Sequence, residues 1–202
     1  MRLTHQEMPI LAVNLLYIPF FTYLAWRQSN QEFLLYVLVI LVAGGLVVWN
    51  QSRIRFDRVI LWGLTLWGLM HMAGGNIRIG DGVLYGVQLL PIAPRHQILR
   101  YDQVVHFFGF GVATLVAQHL LRPFLLPNLP STATMFFLVV MMGCGFGALN
   151  EVIEFIAVLT LPETGVGGYE NTMWDLVFNL FGSLTAAWLR LSGRLGPKPG
   201  AS

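Results

Sequence analysis

Three pairs of polar residues interrupt the apolar second half of this 202-residue chain at helical spacing: Asp102 and His106, Glu151 and Glu154, Asp175 and Asn179. Residues three or four apart share one face of a helix, so each pair can present both side chains to the same neighbour. With His71 the set offers two imidazoles and four carboxylates, a mixture of nitrogen and oxygen donors suited to Zn²⁺, Mn²⁺ or Fe²⁺. His71, Asp102, His106, Glu154 and Asp175 are the expected ligands of a divalent metal. Glu151, Glu154 and His106 are the expected catalytic acid–base groups, since a glutamate can take a proton from a metal-bound water. Asn150 and Asn179 add neutral donors and acceptors beside them and are expected to contact substrate. Four ionised carboxylates in a poorly solvated place need cations or protons to offset them. A proton-sharing network without metal is therefore the alternative.

Six apolar runs must position these groups: Met8 to Trp26, Phe33 to Asn50, Val59 to Gly75, Tyr101 to Leu121, Thr132 to Leu161 and Thr172 to Leu191. About 20 helical residues at about 1.5 Å each cross the hydrocarbon of a bilayer. The expected fold is thus an all-α, polytopic membrane bundle of about six transmembrane helices. The fifth run is the longest, so it is expected to tilt or to emerge from the hydrocarbon. Residues 1–191 form one domain and 192–202 a flexible Gly/Pro-rich tail. Between Asn76 and Arg100, the alternation of Val83, Tyr85 and Val87 among Gly, Asp and Pro predicts a small hairpin or a re-entrant flap. Pro123, Pro127 and Pro130 stiffen the next connection, and Pro162 to Asn171 is a Gly-rich loop without Lys or Arg.

Successive helices run in opposite directions, so the late residues of helices 3 and 5 meet the early residues of helices 4 and 6 at one membrane face. A carboxylate at mid-bilayer costs roughly 2.5 to 3.5 kcal/mol, so four of them persist by facing a polar interior. Asn14 is nearly the sole polar candidate in the inner halves, which favours a one-sided pocket over a transport path. No basic residue lies within the helical constellation; Arg95 or Arg100 would have to reach in, which weakens a lipid-phosphatase reading. Each piece also has a plainer role. Asp102 and Asp175 each suit the positive N-terminus of a helix, and a lone His71 is as often a packing residue. Gly143 and Gly147 form a GxxxG pair that serves close helix packing, and Gly109 and Gly111 serve the same end. Trp26, Trp49 and Trp174 stand at helix ends as interfacial anchors do.

Composition agrees: 55% of residues are hydrophobic and 11% charged, far below the roughly 25% charged of soluble domains. A net charge of +2 without a basic run excludes nucleic acid as a partner. The lone Cys144 can form no internal disulfide. The first run contains Pro9 and Pro19 and is not followed by a cleavage pattern, so it reads as a retained helix. Lys and Arg favour the cytoplasmic side. Arg2, Arg53, Arg55, Arg58, Arg122, Arg190, Arg194 and Lys198 fall on one side against Arg27, Arg78, Arg95 and Arg100 on the other. Both termini are accordingly expected in the cytoplasm.

The run YDQVVHFFGFG (Tyr101 to Gly111), the NEVIEF run (Asn150 to Phe155) and WDLVFNLFGS (Trp174 to Ser183) resemble the D-x-x-x-H-F, E-x-x-E and D-x-x-x-N-x-x-G blocks of VanZ-like membrane proteins. More narrowly, they resemble the uncharacterised YjdF-type family of the bacterial inner membrane. Carried over, the resemblance picks out Asp102, His106, Glu151, Glu154, Asp175 and Asn179 and implies a bacterial inner-membrane location. VanZ-like proteins are associated with glycopeptide-antibiotic resistance and typically carry an arginine before the last helix, which Pro162 to Asn171 lacks. The expected function is a metal-dependent enzyme working from an outward-facing site on a lipid-linked or amphipathic substrate, with membrane lipids around it. A proton-coupled transporter and a noncatalytic protein binding envelope lipids or antibiotics are the rival expectations.

Overall fold

The computed structural model describes residues 5–92, 94–124 and 132–195. Six α-helices account for most of it: α1 (Met8–Arg27), α2 (Gln31–Ile54), α3 (Arg58–Asn76), α4 (Tyr101–Leu121), α5 (Thr132–Thr160) and α6 (Tyr169–Leu191). Four of them, α1, α2, α4 with its short 3₁₀ extension, and α5, are long and apolar enough to cross a membrane by length and composition. Helices α3 and α6 complete the bundle; α6 buries Asp175, Asn179 and Ser183 and is the most polar of the six. The 29-residue α5 is the longest helix, as its sequence predicts.

Helix boundaries follow local chemistry. Ser29 takes the left-handed conformation after α1, and the Asn30 side chain then caps α2 by accepting from Phe33 N–H at 3.1 Å. Asn30 also donates to Gly75 O at 3.2 Å and Gln28 to Asn76 O at 3.1 Å, so the same turn satisfies terminal carbonyls of α3. At the opposite end, Arg55 is left-handed and Asp57 caps α3 through Ile60 N–H at 3.1 Å. Arg190 of α6 pairs with that Asp57 at 2.9 Å, fastening the last helix to the α2–α3 turn.

Helix α4 is the hub, packed most extensively on α6 and then on α3 and α5, while α5 also lies on α6. Small residues make those contacts close. An added Cβ on Gly182 would collide with the Phe107 carbonyl and lie 3.1 Å from Gly111 N, so the α4 and α6 backbones nearly touch. Gly143 is covered by the Thr114 and Ser183 side chains and Gly147 by Asn179, which gives the GxxxG pair its packing role. Gly109 is filled by the Trp67 indole. Thr114, Gln118 and Ser183 are also buried, and Asn14 donates to buried Thr65 at 2.7 Å, so buried polarity away from the carboxylates is not limited to Asn14.

The α3–α4 connection, expected as a small hairpin or a re-entrant flap, is built from two short ribbons. It holds two antiparallel ribbons, β1 (Arg78–Ile79) with β2 (Gly82–Val83), and β3 (Gln88–Ile92) with β4 (Ile98–Arg100). Tyr85 falls in a 3₁₀ turn between them, because its ring turns down into the bundle instead of alternating along a strand. Pro127, Pro130 and residues 196–202 of the expected flexible tail lie outside the described residues.

Candidate functional site

Helix α4 presents Asp102 and His106 one turn apart, with His106 Nε2 3.6 Å from Asp102 Oδ1. On its other edge, His106 Nδ1 lies 3.1 Å from Asn179 Oδ1 of α6 and 3.8 Å from Glu151 Oε1 of α5. His106 is 6% exposed and Asp175 and Asn179 are each 1% exposed. Glycine explains how three helices bring these side chains together: Gly182 and Gly147 let α4, α5 and α6 approach until short polar side chains meet across them.

Two groups of donor atoms share His106. Asp102, His106 and Asp175 form one, and His106, Glu151 and Glu154 the other; within each, one donor atom per residue lies within 4.8 Å of the rest. Asn171, at the start of α6, links the first group by donating to Asp175 Oδ2 at 2.6 Å and approaching Asp102 Oδ2 at 3.4 Å. Asn150 donates to Glu154 Oε1 at 2.7 Å, one turn away on α5. The remaining oxygen of Asp175, Oδ1, and Glu151 Oε1 have no hydrogen-bond partner although both are buried. Such an atom costs about 1–3 kcal/mol or more unless something fills its valence.

The tautomer of His106 distinguishes the two groups. With Asn179 Oδ1 accepting at 3.1 Å, Nδ1 carries the hydrogen and Nε2 keeps its lone pair, aimed toward Asp102. A ring N–H held by an amide oxygen is the usual support for an imidazole that ligates through its other nitrogen. Asp102, His106 and Asp175 therefore make the better ligand set, and Glu151 and Glu154 stand beside it.

His71 is elsewhere. Its Nδ1 is 2.5 Å from the Tyr85 hydroxyl, and its ring packs against Phe33, Tyr36 and Tyr85 at centroid distances of 5.4, 5.2 and 5.8 Å. Lost solvation, and then the charge of Asp102, push the Tyr85 phenol well above its ordinary range. The contact with the Tyr85 hydroxyl occupies Nδ1 of His71. The expected ligand His71 thus belongs to neither donor group. Its depth matches the cluster, but its position around α3 turns it toward the aromatic residues of α2 and the connection.

Above the donor groups lies a cavity of 740 Å³ that reaches the loops, with Asp102 and Glu154 among its lining residues. Several of its residues had no sequence signal. Glu32, in the first turn of α2 and 7% exposed, accepts from Gly165 N–H at 2.5 Å. Arg100 lines the same cavity, its Nη1 3.5 Å from Asn171 Oδ1 and its Nη2 bonded to Gln97. A basic residue does reach the constellation, and it stands against the very loop whose own sequence carries none. Buried Gln103 fixes it there, accepting from Leu99 N–H at 2.6 Å and Arg100 N–H at 3.1 Å while donating to Gln97 O at 3.1 Å. Gln97 and Leu99 both hold left-handed conformations, at φ 50° and 69°. For non-glycine residues these cost of order 1–3 kcal/mol each and persist where surrounding contacts over-determine them.

Comparison with known proteins agrees with the architecture. An "Uncharacterized protein" of Thermotoga maritima is 32% identical over 94 residues, which are 45% of this chain and 47% of that relative, so the match spans about half the relative's length. No solved structure matches. The family described as "Predicted membrane protein (DUF2238)" matches residues 9–193. That match covers nearly all six helices and the whole polar cluster, and the chain belongs to this family of membrane proteins.

Proposed function

We propose that this membrane protein holds a divalent metal ion at Asp102, His106 and Asp175 and uses it for hydrolysis of a lipid-linked or amphipathic substrate entering from the outer end. The observation that carries the reading is Asp175 Oδ1, 1% exposed and without a hydrogen-bond partner, within a donor group that spans no more than 4.8 Å. A metal supplies positive charge and uses the free lone pairs of Asp175 and His106 at once. Glu151 or Glu154 then has the chemistry of a general base toward a bound water, and Asn150 orients Glu154. Surrounding lipids and the depth of the cavity favour an amphipathic substrate over a freely soluble one.

The orientation that accompanies this reading has both ends of the chain in the cytoplasm and the cavity facing outward in a bacterial inner membrane. Arg53, Arg55, Arg58, Arg122, Arg190 and Arg194 cluster at the end of the bundle opposite the cavity, which supports it. The likeness to VanZ-like proteins rests on the same Asp102, His106, Glu151, Glu154, Asp175 and Asn179. A second reading, proton-coupled transport, draws on buried Gln118, both of whose amide atoms lack partners in the inner half. It requires proton movement across proteoliposomes containing the protein.

Elemental analysis and thermal unfolding of the purified protein test the metal. One equivalent of metal is expected. Chelator should lower the melting temperature, and Zn²⁺ or Mn²⁺ should restore it, because a ligand of the folded state stabilises by mass action. His106→Ala and Asp175→Asn should abolish that response. Melting unaltered by chelator, together with no stoichiometric metal, overturns the reading in favour of a proton-sharing network.

A further inference from the structure

Two guanidinium groups line the cavity without a carboxylate partner. Among the described residues Arg190 pairs with Asp57, and the other carboxylates beside a basic side chain face histidines, Glu170 at His96 and Asp102 and Glu151 at His106; neither Arg78 nor Arg100 takes part. Arg78, on β1, gives its Nε to Gln28 Oε1 at 3.2 Å and leaves both terminal nitrogens uncommitted. Arg100, on β4, is held by the neutral amides of Gln97 and Asn171. Both face the cavity that Asp102 and Glu154 also line. An arginine held by amides keeps its full charge and its planar fork of donors for an incoming anion.

The connection carrying these arginines is built to place them. Gln103, 1% exposed, secures the backbone of Gln97, Leu99 and Arg100 together, including two left-handed residues that any relaxed turn would avoid. Asn171 then joins the arginine to the donor group below, since it contacts Arg100 through its oxygen and Asp102 and Asp175 through its nitrogen. One amide therefore spans from the guanidinium to the carboxylates. With a cation on the carboxylates, a group that reaches both it and the arginine is an anion with several oxygens at wide angles. A phosphate group meets that description, offering one oxygen to a metal and others to the arginine fork.

We propose that the cavity is a binding subsite for a phosphate group, held by Arg100 and Arg78 above the Asp102–His106–Asp175 metal. This rests on the metal reading and deepens it: Glu32, Asp102, Glu154 and Glu163 also line the cavity, so an anion enters once a cation has offset their charge. The phosphate is carried either by a lipid headgroup or by a free phosphate, and the recognised chemistry is the same. The arginine fork, the linking Asn171 and the over-determined Arg100 turn all act on that one group.

The test is thermal unfolding in a neutral detergent of chelator-treated and metal-loaded protein, with inorganic phosphate or with a short-chain phosphatidic acid. Metal-loaded protein should gain about 5 °C with saturating phosphate compound, and chelator-treated protein should gain nothing. Arg100→Gln should remove the gain while keeping the stabilisation by metal; Arg100→Lys should restore part of it. Arg95→Gln, on the exposed 3₁₀ turn, should behave as the parent. Should Arg100→Gln not fold, Arg78→Gln provides the same comparison. A gain from phosphatidic acid at far lower concentration than inorganic phosphate assigns the site to a lipid headgroup, and equal responses assign it to free phosphate; both uphold the subsite. Metal stabilisation with no phosphate response, or a response that survives both arginine substitutions, overturns the subsite and leaves the metal standing. No metal binding at all removes both.

Discussion

Helices α4 and α2 are both apolar and of similar length, yet they occupy opposite situations. In the most apolar stretch of α4, 61% is buried within the protein, against 22% for α2. Helix α4 meets its neighbours through glycine, threonine and short polar side chains, whereas α2 sends Leu38, Leu41, Val42, Leu46 and Trp49 outward to the lipid. Lipid tails are as apolar as leucine, so an apolar surface does not bind one helix to another in a bilayer. Close approach and hydrogen bonding do. The polar site therefore sits where backbones come nearest, and the same glycines that pack the bundle make room for its carboxylates.

Substitutions on the two sides of this contrast should differ in sign as well as size. Gly182→Ala is expected to have the largest effect, a loss of about 3 kcal/mol in denaturant or thermal unfolding in detergent, because its Cβ meets the Phe107 carbonyl and backbone cannot rotate away. A loss below about 1 kcal/mol would mean that α4 and α6 separate easily. Gly143→Ala meets the Thr114 and Ser183 hydroxyls, which can turn aside, so about 2 kcal/mol is expected. Asn14→Leu removes the 2.7 Å bond to buried Thr65 and should cost about 1 kcal/mol; no loss would place the α1–α3 contact on packing alone. Gly44→Ala, where an added Cβ meets nothing, should be neutral or stabilising by up to about 1 kcal/mol through helix propensity. Destabilisation there would point to a contact on the lipid-facing side of α2.

Much of the helical framework could be read from the chain. Tyr101, Thr132 and Leu191 bound helices where the apolar runs place them, because run length and flanking Gly, Pro and Asn punctuation are local properties. The pairing of Asp102 with His106 is equally local, being set by one turn of helix. What pattern alone does not supply is how each helix is rotated against the next. His71 lies at the expected depth yet faces Tyr85 and Phe33, and Tyr85 reaches it from a turn that looks like strand. Arg100 meets Asn171 across 71 positions and Glu32 meets Gly165 across 133, separations that no periodicity encodes. Gln103 is legible only afterwards, since a glutamine in the first turn of a helix has no feature to mark it as the residue securing two left-handed neighbours.

The bond between Glu32 and the backbone of Gly165 also bears on the order of assembly. Helix α2 leaves the ribosome early, and its buried carboxylate waits for a partner made 133 residues later. At about 5–20 residues per second that interval is roughly 7 to 27 seconds. During it, Glu32 lacks the Gly165 N–H that it accepts from in the folded protein. The loop between α5 and α6 can make this contact with α2 only after Gly165 has been synthesised. The last-made helices thus complete the cavity, and a chain stopped before Gly165 would insert its first helices with the chamber still open.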